Sequence, residues 1–425
     1  VAPRPKWKQR LRVTAALALL VWLSACSLSP DRASAPPGQI ELDRQVMVML
    51  AQPAIQPLGP WNDFASEYGS GRTRARALRV AESLAHAYRL RILDDWPMPA
   101  LGVHCVLAGM APGQDAQEVL AALNADERVA WAQPLHRFRS LASAGFAAAQ
   151  SPWELPALHE VATGRGVVIA QVDTGVDLKH PNLSGQWLGP KNFVERGGFD
   201  PELHGTAVAG LIVARGSPKL DGIGVAPGAR LMPLRACWQV DAGAAECTSF
   251  TLAKALQHAL RQRPHIINLS LSGPPDLLLA RLIDRALEQG IVVVAAADET
   301  ALGPGFPAQH PGVIPAAGGP VPGLVRPIQA PSQDLLTTIP DAAFGFMSGS
   351  SFAAAEVAGL TALLLERSPG LAPVQVRAVL DAASGMPATG AALVDPCAAL
   401  LAVSSERNAP RCGHQHAVGQ QAVLH

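Results

Sequence analysis

The sequence predicts an α/β protein, a parallel sheet with helices on both faces, preceded by a small α+β unit. Three observations carry this prediction. The chain has 425 residues, more than one average domain. From about residue 167 onward, near-continuous apolar strand runs alternate with helical stretches, and such strands belong in a sheet buried on both faces. Residues 40–139 follow the order β-α-β-β-α-β of a ferredoxin-like split unit. Hydrophobic residues make up 49% of the chain and charged ones 16%, which suits a sizeable core and excludes a disordered chain. The formal net charge is zero, so nothing points to nucleic acid as a partner.

Taken in order, the N-terminus comes first. Arg4, Lys6, Lys8, Arg10 and Arg12 precede an apolar run over 13–23. That run is about half of a membrane-spanning helix and matches a signal-peptide core. It ends in Leu23-Ser24-Ala25-Cys26, which resembles the lipobox of bacterial lipoproteins. The resemblance implies a signal peptide over 1–26, a lipid on Cys26, and a cell-envelope membrane as partner through that lipid. Residues 27–39, rich in Ser, Pro and Ala, read as a tether. Export to an oxidising compartment favours disulfides. Cys237/Cys247 and Cys397/Cys412 are the close pairs, which leaves Cys105 free; spacing alone proves no pairing. None of the spacings resembles a zinc site.

In the small unit, strand candidates lie at 45–50, 90–93, 103–107 and 129–133. Leu78, Ala81, Leu84, Ala85 and Tyr88 recur at helical spacing, as do Ala116, Val119, Leu120 and Leu123. Residues 140–150, small and Ala-rich, read as an exposed joint with few contacts, suited to processing. Beyond it, strands are predicted at 167–172, 230–235, 266–270 and 291–297. Helices are predicted at 205–214, 251–262, 276–289 and 351–367. Residues 403–425 read as a polar tail.

Active sites of open parallel sheets lie beyond the carboxyl ends of the strands. Asp173 sits there, in Val172-Asp173-Thr174-Gly175; taken alone, Asp-Thr-Gly also suits an aspartic protease or a plain turn. His204 opens His204-Gly205-Thr206-Ala207, whose small residues would let a helix lie close to the sheet and hold the ring near Asp173. Ser351 lies in Gly349-Ser350-Ser351-Phe352-Ala353, where a loop enters an apolar helix. Free N–H groups there favour negative charge near the serine oxygen.

Asp, His, Ser is the chain order of the subtilisin-type triad, and each of the three blocks resembles that family's. So do residues 224–229, Ile266-Ile267-Asn268-Leu269-Ser270-Leu271-Ser272-Gly273, Phe306-Pro307-Ala308 and 310–314. The resemblance covers roughly 151–402, and 40–139 is similar to the family's inhibitory propeptide. It implies a serine endopeptidase acting on polypeptides through an acyl-enzyme. Asp173, His204 and Ser351 would be its triad, and Ser270, Leu271, Ser272 and Gly273 its substrate-pairing strand. The propeptide would be an intramolecular inhibitor, cleaved within 140–150, which would detach the enzyme from its lipid. No cofactor is implied, and no calcium site is legible.

Three departures from the family pattern matter, one of them Ser272, where a glycine is usual, which with a wall one residue shorter touches the expected S1 pocket. Ala354, Ala355 and Glu356 stand where a small residue, Pro and His are usual. Asp298, in Ala295-Ala296-Ala297-Asp298-Glu299, is the counterpart of the oxyanion-hole Asn. An ionised Asp would repel the oxyanion, so Asp298 could donate only when protonated, which predicts a slow or acid-favouring enzyme. The alternative is a weakened pseudoprotease that binds peptides or partners.

Overall fold

The computed structural model describes residues 42–51, 71–145, 153–194, 198–216, 224–240, 244–300, 303–385 and 393–404. The predicted signal peptide with Cys26, the tether, Cys412 and the C-terminal tail from 405 on lie outside them. The chain divides into two compact units, Val1–Gln45 and Val46–His425, and the architecture described here is that of the second. Among the described residues, no helix is long and apolar enough to cross a membrane.

The first elements are β1 (Gln45–Ala51), α1 (Gly71–Tyr88), β2 (Leu90–Met98), β3 (Val103–Met110), α2 (Ala116–Asn124) and β4 (Val129–Pro134). The four strands form one sheet in the order β2-β3-β1-β4, which is the ferredoxin-like arrangement that the element order predicts. Its core gathers Val46, Val48, Ala81, Leu84, Val106, Val119 and Leu123. Helix α2 starts where the Asp115 carboxylate accepts from the Gln117 and Glu118 amides, the usual device for satisfying free N–H groups at a helix start.

Next come β5 (Arg137–Ser140), β6 (Ser143–Ala144), α3 (Leu155–His159), β7 (Val168–Asp173), β8 (Lys191–Asn192), α4 (Leu203–Val213), β9 (Arg230–Arg235), β10 (Cys237–Gln239) and β11 (Ala245–Thr248). The remainder is α5 (Ser249–Gln262), β12 (Ile266–Leu269), β13 (Leu271–Ser272), α6 (Leu277–Glu288), β14 (Val292–Ala296), β15 (Ile314–Ala317), β16 (Ile328–Gln329), β17 (Leu335–Ile339), β18 (Ala343–Ser348), α7 (Ser350–Arg367), α8 (Pro373–Ala383) and α9 (Pro396–Val403). The main sheet has seven strands in the order β16-β15-β14-β12-β7-β9-β8, and every pair is parallel.

Side chains alternate across a strand, and both faces of this sheet are dry. Ile169, Leu231, Ile266, Val292 and Val294 join one core with residues of α4 and α7. The intervening Ala170, Ile267 and Val293 are equally inaccessible, on the face that carries α5 and α6. Helix α7 shows why the pattern works. Sixteen of its residues, Ser350–Leu365, are buried, so it reads as apolar all round and runs through the centre of the molecule.

The predicted disulfide Cys237–Cys247 is present, with Cα atoms 4.3 Å apart across the β10–β11 pair. Cys397 is also disulfide-bonded, and Cys105 is a buried free thiol. The Cys237–Cys247 link closes a loop between residues 10 positions apart. Loop-closure entropy gives it about 2–3 kcal/mol of stability. Replacing both cysteines by serine is expected to lower the unfolding free energy by about that amount, measured by denaturant unfolding with midpoint and slope both fitted.

Candidate active site

Asp173 ends β7 at the carboxyl edge of the sheet, and its carboxylate oxygen Oδ1 accepts from the Thr174 amide at 2.6 Å. His204 is the second residue of α4. Two contacts hold the start of this helix against the turn after Asp173. The Gly205 amide donates to Thr174 Oγ1 at 2.8 Å, and the Asp177 amide donates to Thr206 Oγ1 at 2.9 Å. A Cβ on Gly205 would press against the Thr174 carbonyl, so the small residue is a steric requirement. From the other side, the Thr337 and Thr338 hydroxyls of β17 donate to the Ala207 and Thr206 carbonyls.

The result is a buried pair: His204 Nδ1 lies 2.7 Å from Asp173 Oδ1, with side chains 1% and 3% exposed. A donating Nδ1 leaves Nε2 with a lone pair. That Nε2 is buried and has no hydrogen-bond partner.

Ser351 is the second residue of α7 and is fully buried. Its hydroxyl donates to the Ser270 carbonyl at 2.9 Å and accepts from the Leu141 amide at 2.9 Å. It is therefore not bonded to His204. The structure joins Asp173 to His204 and ties Ser351 to the predicted substrate strand instead. Ser270 Oγ in turn donates to the Ser351 carbonyl, and Asn268 Nδ2 donates to Ser270 Oγ. The end of β12 and the start of α7 are locked together.

What occupies this cleft is the chain itself. Strand β5 lies between β11 and β13, antiparallel to both, with Ser140 opposite Leu271 and Arg139 opposite Ser272. Gly273 exchanges both backbone bonds with Phe306 at 2.9 Å and continues this wall. Further on, β6 pairs with β18, and the Gly145 amide donates to the Phe346 carbonyl at 2.7 Å. Residues 137–145 thus run through the cleft as one extended segment. This corrects the expectation of an exposed joint with few contacts over 140–150, for the described part to Gly145. Small side chains do not make a segment contact-free. Its backbone N–H and C=O groups still need partners, and two strand edges with unpaired groups provide them.

Between those strands, the Ser351 amide donates to the Leu141 carbonyl at 3.2 Å. Gly349 makes the approach feasible. Its φ is +130°, a region that L side chains rarely adopt, and a Cβ there would collide with the Leu141 carbonyl. On the near side, the Phe138 ring is 1% exposed and meets Phe306 edge-on at 6.2 Å.

Asp298 follows β14. Its Oδ1 accepts from the Thr300 amide at 2.9 Å and the Thr300 hydroxyl at 2.8 Å. Its Oδ2 accepts from Arg139 Nη2 at 3.0 Å. With Arg139 in place, Oδ2 accepts, because a guanidinium can only donate. Neither Thr300 nor Arg139 was legible as a partner from sequence; they meet Asp298 only through the turn after β14 and the strand in the cleft.

Glu356 is the other unexpected carboxyl. It sits inside α7, 1% exposed, and its Oε2 has no hydrogen-bond partner. Burial pushes its carboxyl well above the usual range. The folded state therefore keeps a proton that the unfolded chain releases, so this group's contribution is most favourable below the unfolded carboxyl range and is lost as pH rises above it. Glu356→Gln is expected to raise the melting temperature at neutral and alkaline pH relative to the parent and to flatten its fall with pH, read from thermal melts across pH 4–8. Among the described residues, no group of three or more His, Cys, Asp or Glu side chains is gathered as a metal ion would need.

A parallel sheet with a buried Asp–His pair at its carboxyl edge, and a serine at a helix start beside it, defines the subtilisin-like α/β fold. The chain belongs to the peptidase S8 subtilase family, whose model matches residues 164–397. It is 32% identical over 245 residues to Subtilisin E of Bacillus subtilis (strain 168), covering 53% of this chain and 62% of that one. It is also 32% identical to Subtilisin of Bacillus pumilus, covering 86% of that chain, and 30% identical over 239 residues to an intracellular serine protease of Paenibacillus polymyxa. The match thus spans less than two thirds of Subtilisin E. Among solved structures, fervidolysin from Fervidobacterium pennivorans, a keratinolytic enzyme related to subtilisin, shares the fold with a TM-score of 0.63. That likeness is at 21% identity and covers 85% of this chain and 61% of that one.

Proposed function

We propose that this chain is a serine endopeptidase that cleaves itself between Leu141 and Ala142. The observation that carries the reading is the Leu141 carbonyl, which accepts from the amide of Ser351 while its own strand pairs along both sides of the cleft. Ser351 Oγ leaves the Ser270 carbonyl and gives its proton to the unpartnered Nε2 of His204 as it attacks the Leu141 carbonyl carbon. Asp173 holds the imidazole tautomer and balances the imidazolium. The tetrahedral oxyanion collects the Ser351 amide at the positive end of α7. His204 then returns the proton to the Ala142 nitrogen, the C–N bond breaks, and an ester joins Leu141 to Ser351. Water, giving a proton to His204, then attacks the ester; the bond from the Leu141 carbonyl carbon to Ser351 Oγ breaks, His204 returns the proton to Oγ, and the Leu141 carboxylate leaves.

The small unit is held over the body by more than the cleft strand. Lys254 of α5 pairs with Asp94 and lies over the Phe250 and Trp96 rings at 4.1 and 5.1 Å. His136 meets Asp276 at 2.9 Å, and Arg281 lies 3.9 Å over Trp131. These contacts outlast cleavage of one peptide bond, so the small unit acts as a bound inhibitor after cutting. With export and a lipid on Cys26, release from the envelope then waits on loss of the small unit as well as on the cut. Incubating the purified chain and sequencing the new N-terminus tests the reading. A terminus at Ala142 is expected; processing at another bond, or none together with no fluorophosphonate labelling of Ser351, would overturn it.

A further inference from the structure

We propose that Asp298 reads a basic side chain on the third residue before the cleaved bond, so that the preferred substrates are polypeptides with arginine there. This rests on the peptidase reading above and assigns its substrate class. Counting back from the Leu141–Ala142 bond, Ser140 is second, Arg139 third and Phe138 fourth. Side chains of an extended strand alternate, which puts Arg139 and Leu141 on one face, about 7 Å apart along the strand. Arg139 crosses that distance to reach Asp298 Oδ2 at 3.0 Å. The Asp298 side chain is 5% exposed and that of Arg139 is 63% exposed. A carboxylate this buried needs compensation for its lost hydration. Thr300 supplies two donors, both on Oδ1, and the other oxygen meets the cleft strand.

The arrangement repeats two residues upstream. Arg137 approaches Glu246 of β11 at 4.0 Å, while Phe138 between them is buried against Phe306. Each arginine of β5 therefore meets a carboxylate, in a protein whose formal net charge is zero. Strand pairing supplies affinity without regard to sequence, and side-chain pockets supply selectivity. Here the pocket lining is acidic at alternate positions and apolar between them. The residue that departs from the family's oxyanion pattern is thus a specificity determinant.

The test competes two peptides in one tube with the self-processed full chain, Arg-Phe-Arg-Ser-Leu-Ala and the same sequence with glutamine at the third position. Internal competition makes the ratio of kcat/KM independent of how many clefts are free. The arginine peptide is expected to win by about three- to fivefold, the upper scale of a partly exposed ion pair, and the ratio should fall within twofold in Asp298→Asn. A parent ratio within twofold, or an undiminished ratio in Asp298→Asn, overturns the proposal while leaving the peptidase intact. Failure to cleave either peptide, with no fluorophosphonate label on Ser351, overturns the peptidase reading and this inference with it.

Discussion

Ser351→Ala is expected to leave the chain uncut at Leu141–Ala142, with kcat lowered on the order of 10⁶-fold, a scale taken from subtilisin itself. The geometry says why the loss should be this large. The Ser351 hydroxyl accepts from the amide of Leu141, the same residue whose carbonyl oxygen accepts from the Ser351 amide. What survives the substitution is that amide and the strand pairing, which bind but form no bond. His204→Ala should cost about the same, because nucleophile and base act as one unit and their losses do not add. Intact mass measured over time on the parent and both variants checks this. If Ser351→Ala is processed at Ala142 as fast as the parent, another protease makes the cut. The substitution also strands the Leu141 amide and the Ser270 carbonyl, at about 1–3 kcal/mol for a buried group. A melt should accompany the kinetics so that lost folding is not read as lost chemistry.

The sequence revealed the sheet because its strands are apolar on both faces, and 230–235 was read to the residue. Asp173 and His204 were legible because the constraints that place them are local: a strand end, and a helix start made of small residues. The β17–β18 hairpin was missed. Its buried threonines serve to donate to α4 carbonyls, a job with no periodic signature. The cleft strand was missed for a related reason. Small, Ala-rich composition describes side chains, whereas what fixes 137–145 is the hydrogen-bonding of its backbone to strands more than 100 residues away. The partners of Asp298 were missed in the same manner: its position was read from the preceding strand, whereas Thr300 and Arg139 meet it through the turn after β14 and the strand in the cleft.

Asp298→Asn should speed cleavage of a peptide with a neutral third residue by about 10²–10³ at neutral pH, the scale known from the oxyanion asparagine of subtilisin. The direction follows from Thr300. Its amide and hydroxyl both donate to Oδ1, so an asparagine would keep its carbonyl oxygen there and turn its NH₂ toward the cleft, where Oδ2 now meets Arg139. A negative charge beside the developing oxyanion would be exchanged for a donor. For an arginine peptide the gain should be smaller, because the same change removes the ion pair that neutralises the carboxylate. The parent enzyme would then be one whose substrate carries the cation that masks its own repulsive group, and cleaving Arg139-Ser140-Leu141 would be its most favourable case. Single-turnover rates on both peptides, parent against Asp298→Asn, decide it. A variant no faster than the parent on the neutral peptide would mean that Asp298 does not border the oxyanion, and that its departure from the family pattern has no catalytic cost.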